Sequence, residues 1–76
     1  MVTDANWQAK AKGVLKAELK RRNVSYKQLS EKLEKFGVKE TPENIANKIS
    51  RGGFSAVFLL QCLEAIDCKS IQIGLE

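Results

Sequence analysis

A small all-α domain of four helices, followed by a short extended C-terminal tail, is the fold class this chain predicts. Three observations carry it. Apolar residues recur three and four apart in four separate stretches, the spacing of one face of a helix. The stretches are punctuated by residues that start and stop helices: Ser25, Thr41 and Ser55 as caps, Asn23, Gly37 and the Gly52-Gly53 pair as terminators. Ser70–Ile73 alternates polar and apolar residues, which fits a short strand or an extended tail, and a lone strand is marginal without a partner.

The first helix is expected from Asp4, a suitable cap, to about Arg22, with Trp7, Ala11, Val14, Leu15 and Leu19 as its buried stripe. Lys12, Lys16 and Lys20 make an i, i+4 ladder beside that stripe, the pattern of a solvated face. Arg21 and Arg22 suit the negative end of the helix dipole, and Asn23 tolerates the left-handed turn that follows. In the second helix Ser25 and Gln28 make a capping box, across which Val24 staples to Leu29. Leu29, Leu33 and Phe36 supply its inner face; Lys27, Glu31, Lys32, Glu34 and Lys35 mix charges on the outer one. Gly37 ends it, with Val38 available for the apolar contact of a Schellman closure.

Thr41 and Pro42 are a cap and a first-position proline, so a third helix should run from Pro42 to about Arg51 and stop at Gly52 and Gly53. Its apolar positions are few, chiefly Ile45, Ala46 and Ile49, which leaves Glu43, Asn44, Asn47, Lys48 and Arg51 to face outward. Ser55 caps a fourth helix, Ala56 to about Cys68, whose Val57, Phe58, Leu59, Leu60, Cys62, Leu63, Ala65 and Ile66 require a central place or a surface to cover. Leu75-Glu76 has the look of a cloning remnant.

At 76 residues the chain is one domain, residues 1–76, with a core that must be nearly complete. Its net charge of +4 is uneven: residues 1–23 carry six basic and two acidic side chains, residues 24–53 six and four, residues 54–76 one and three. The electropositive first two-thirds suits a polyanionic partner. No run approaches the ~18 apolar residues of a membrane span, and the N-terminus lacks a signal-peptide layout, so a cytoplasmic protein is expected. Cys62 and Cys68 lie poorly placed to bridge each other around a helix. With no histidine, a zinc site has too few of its usual ligands, and neither metal nor cofactor is expected. The chain also lacks a glycine-rich phosphate loop and paired carboxylates in an apolar setting, so an enzyme is not expected.

Leu15–Leu33 (LKAELKRRNVSYKQLSEKL) and Ile49–Cys68 (ISRGGFSAVFLLQCLEAIDC) together resemble the lambda-repressor-like helix-turn-helix proteins of the Cro and Xre type. Ser25, Gln28, Leu29 and Ser30 match the family's second-helix opening. Ile49-Ser50-Arg51-Gly52 matches the end of its third helix except at an acidic position, and Leu59, Leu60, Leu63 and Ile66 match the helix that follows. The chain departs from the family in carrying about five more residues between Ser30 and the end of the third helix, and in Glu40 and Glu43 at that helix's entrance.

The resemblance implies binding to double-stranded DNA, with the third helix in the major groove and Asn44, Asn47 and Lys48 near base edges. Lys27 and Gln28 would contact phosphate, Arg51 and Lys39 would add backbone contacts, and Glu43 could accept from a cytosine amino group. It also implies a homodimer that reads two half-sites, with the fourth helix and the Ile71–Ile73 tail as interface. A bacterial or phage transcriptional regulator is the expected role. The alternative is the same scaffold used to hold a protein partner, as an antitoxin or accessory subunit, which would expose an apolar patch.

Overall fold

Side-chain hydroxyls, not backbone alone, begin three of the four helices. The computed structural model describes residues 4–73. In it α1 runs Asp4–Arg21, α2 Tyr26–Glu34, α3 Pro42–Arg51 and α4 Ala56–Ala65. The hydroxyls of Ser25, Thr41 and Ser55 accept from the backbone N–H groups of Gln28 (3.1 Å), Asn44 (3.0 Å) and Phe58 (3.0 Å). Each satisfies a donor that a first helical turn leaves without a partner, worth about 1 kcal/mol. Gln28 completes the capping box by accepting the Ser25 N–H at 2.9 Å.

Three helices stop in one way. Asn23, Gly37 and Asp67 turn left-handed, with φ of 57°, 80° and 60°. Their N–H groups bond carbonyls three residues back, and the next N–H groups, on Val24, Val38 and Cys68, reach five back to Leu19, Leu33 and Leu63. These are Schellman closures, and each turns the residue after it onto the core, where Val24, Val38 and Cys68 all pack. α3 ends instead on Gly52, with φ 73° and its N–H shared between the carbonyls of Lys48 and Ile49.

The closures account for two departures from expectation. α4 ends at Ala65, short of Cys68, because Asp67 has already turned left-handed. Phe36, expected beside Leu29 and Leu33, is 51% exposed, because the chain leaves the helix over Leu33 and Val38 takes the position against the core. α1 stops one residue before the expected Arg22.

Trp7 is also corrected: expected in the buried stripe, it is 56% exposed. The buried residues of α1, among those described, are Leu15, Glu18 and Leu19. The Gln8 backbone lies against Gly52, and Lys12 Nζ donates to the Ser50 carbonyl at 3.3 Å. Trp7 shares the angular position of Val14 and Glu18, but it lies near the start of α1, before Gln8 where that helix meets Gly52, and its ring carries the Lys10 ammonium 5.7 Å from the centroid. Ala11 and Val14 are half-buried.

One core joins the four helices: Leu15 and Leu19 from α1, Leu29 and Leu33 from α2, Ile45 and Ile49 from α3, Phe58, Cys62 and Leu63 from α4, and Ile66 just beyond it. α3 packs on both α1 and α2, and α2 also on α4. Ser70–Ile73 forms no strand; Ile71 packs against the core and Ile73 is exposed. The expected remnant Leu75-Glu76 lies outside the described residues. Among the described residues, no helix is long and apolar enough to cross a membrane.

Candidate nucleic-acid interface

α3 is anchored by Ile45 and Ile49, both wholly buried, and a helix fixed on that side turns its opposite arc to solvent. Asn44, Asn47 and Arg51, three and four apart, share this exposed arc, and Glu43 is exposed further round. The arc holds amide groups and one guanidinium, with no large apolar side chain among them.

Lys48, at the arc's edge, is engaged differently. Its ammonium is ion-paired with the Glu40 carboxylate and sits 4.9 Å from the centroid of the Phe58 ring. Glu40 is mostly buried, with 14% of its side chain exposed, and the Ser30 hydroxyl donates to its backbone carbonyl at 2.6 Å. The lengthened turn between α2 and α3 is therefore fastened at Glu40 to three helices: to α2 through Ser30, to α3 through Lys48, and to α4 through the aromatic face beneath that lysine. The pair also leaves Lys48 with little net field beyond its partner.

The remaining expected contacts fall into separate places. Lys39 and Asn44 border one groove with Ser30, Glu34, Thr41 and Pro42. Lys48 and Arg51 border a cleft at the other end of α3 with Gln8, Gly53 and Phe54. Gln28 lies on a third surface, beside Arg22, Glu31, Lys32 and Lys35, and its side-chain oxygen is held by the Ser25 N–H. Lys27 is exposed in the first turn of α2.

Gln8, Glu40 as a partner, and Phe58 were not foreseen as part of this region. Lys48 and Glu40 are eight residues apart across a turn, a separation that one helix would hold about 12 Å apart along its axis. Glu18 was also missed. It is 6% exposed, and accepts from Arg21 Nη1 at 2.6 Å and Arg22 Nη1 at 2.5 Å. Those guanidinium hydrogen bonds, Arg21 first, hold its carboxyl below the ordinary carboxylate value. The i+3 and i+4 arginines were a readable signal for it.

Both cysteines are free. Burial, then the nearby Glu40 carboxylate, pushes the Cys62 thiol up to about 12. Among the described residues no group of three or more potential ligands could hold a metal ion.

No curated protein and no solved structure matches the chain. The profile of the domain of unknown function DUF6471 matches residues 7–71, and the chain belongs to that family.

Proposed function

We propose that this domain binds double-stranded DNA sequence-specifically, as a bacterial or phage transcriptional regulator acting in the cytoplasm. The observation that carries the reading is the exposed arc of Asn44, Asn47 and Arg51 on a helix held rigidly by Ile45 and Ile49. In the major groove Asn44 and Asn47 pair with adenine edges, and Glu43 accepts from a cytosine amino group. Arg51, Lys39 and Lys27 meet phosphate, joined by the amide donors of Gln28. Lys48 reaches a base only by leaving Glu40. Self-association through α4 and the tail supplies a second half-site, since one copy this small makes few base contacts. The role involves no chemical step.

Two observations favour a second reading, a protein-interaction module such as an antitoxin or accessory subunit. The Lys48–Glu40 pair removes a cation from the α3 side, and Val57 and Leu60 are 63% and 64% exposed on α4.

The test is binding to mixed-sequence duplex DNA at about 50 and 200 mM salt. The DNA reading expects affinity to fall steeply with salt, and Arg51→Ala to lower the slope of log K against log salt by about 0.9. Asn47→Ala should lower affinity for a selected site while keeping the slope. Charge reversal at Lys48 is a poor probe, because it sets two carboxylates against each other inside the fold. No binding at the lower salt would overturn the DNA reading in favour of the second.

A further inference from the structure

Two uncovered surfaces of this chain complement each other in both charge and apolarity. The first is an open groove where α1 meets α2, floored by Leu19, Val24 and Tyr26 and rimmed by Lys16 and Lys20. Among the described residues neither lysine has an acidic partner. The second is the outward stripe of α4, where Val57, Leu60 and Glu64 recur at three- and four-residue spacing, all exposed. Glu64 forms no salt bridge among the described residues, and α4 contains no basic residue at all.

We infer that the groove receives α4 of a second copy of this chain. Val57 and Leu60 of one copy cover the Leu19–Val24–Tyr26 floor of the next, and Glu64 lies between Lys16 and Lys20. The inference rests on the reading above only in taking α4 as an association surface; it replaces a symmetric pair by a directed contact, which would set DNA half-sites as direct repeats. α4 against α4 would bring the Glu64 carboxylates toward one another, and the one cation that feels Glu64 in the described residues, Lys69, lies beyond the helix and is ion-paired with Asp67 at 2.9 Å. The α1–α2 groove provides two cations. Charge across the chain runs the same way, with four net positive charges in residues 1–23 and two net negative in residues 54–76.

Groove and stripe share no residue, so the contact is heterologous. Each joined pair keeps one free groove and one free α4, and copies add head to tail into a row or a closed ring instead of pairing about a two-fold axis.

The test is sedimentation velocity on the full chain without DNA, in about 50 mM salt and up to about 0.5 mM protein, the range for a small, charge-dependent contact. The wild type should gain mass with concentration and lose it in high salt. Lys20→Glu and Glu64→Lys should each be monomeric alone. Lys20→Glu mixed one to one with Leu60→Ser should form a heterodimer and stop, because only the groove of the Leu60→Ser chain and the α4 of the Lys20→Glu chain remain intact, and no reversed charge pair is created across the damaged surfaces. Leu60→Ser repeats the α4 arm without a change of charge, and far-UV circular dichroism verifies folding of each variant. A monomeric wild type, a Lys20→Glu protein that still associates, or a mixture that stays monomeric or grows past two would each overturn the inference. With no DNA in the cell, none of these outcomes depends on whether α3 reads bases.

Discussion

Replacing Gly52 by alanine places a methyl group where the chain has no room for one. Its ideal Cβ would lie 2.3 Å from the Gln8 carbonyl oxygen and 2.8 Å from the carbonyl carbon. Both are backbone atoms of α1, so relief requires the helix itself to shift. The residue is also left-handed, φ 73°, which costs an L side chain about 1–2 kcal/mol. Forcing one carbon into a filled space adds about 1–3 kcal/mol. The sum, about 2–5 kcal/mol, is a large share of the ~4–11 kcal/mol expected of 76 residues, and a fall in Tm of roughly 10–40 °C follows.

Two other glycines separate the contributions. Gly37 is left-handed with nothing within 4 Å, so Gly37→Ala should cost only the strain, about 1–2 kcal/mol. Gly13 lies inside α1, equally uncrowded, and Gly13→Ala should stabilise by about 0.5–1 kcal/mol. Urea and thermal unfolding followed by circular dichroism give all three values. If Gly52→Ala costs no more than Gly37→Ala, α1 does not lie against the end of α3 as described.

Acid should weaken the fold through Glu18. Its folded pKa lies below the ordinary 4.5, so the stability it contributes is present above that value and is lost as pH falls through the folded one. The gap in Tm between wild type and Glu18→Gln should therefore narrow below pH 4.5, and an equal gap at about pH 7 and about pH 3, the second below the unfolded carboxyl's value, would refute the ion pairs' contribution. Cys62, wholly buried with its thiol at about 12, should resist a thiol reagent at about pH 8 while Cys68 is modified. Mass spectrometry should count one label in the native protein and two in denaturant; two in the native state would mean α4 is not seated.

The helix boundaries were legible because they are local. Ser25 with Gln28, Thr41 with Pro42, and Ser55 each fix a start within four residues, and Asn23 and Gly37 each fix a stop. Which face turns inward is decided elsewhere. Trp7 satisfies the helical period and shares a face with Val14 and the buried Glu18, yet it precedes Gln8, where α1 meets Gly52, and is left 56% exposed near the start of the helix. Phe36 satisfies it too, and loses its position to Val38. For the candidate interface, the outward turn of Asn44, Asn47 and Arg51 follows from the spacing of Ile45 and Ile49. The capture of Lys48 does not, since it depends on how the turn brings Glu40 back across α3 and on Phe58 arriving from another helix.

The carboxylate of Glu18 also marks where this protein can be cut. Its Oε1 lies 3.7 Å from the Cys68 Sγ, that thiol donates to the Ser70 carbonyl at 3.1 Å, and Ile71 packs on the core. The irregular residues after α4 are thus stitched to the end of α1, some fifty positions earlier in the chain. Trimming at the last helical residue, Ala65, would remove Ile66 from the core, leave α4 without its closure and strip the cover from Glu18. A version shortened for grafting or fusion should retain everything through Ile71, the same residue at which the family match ends.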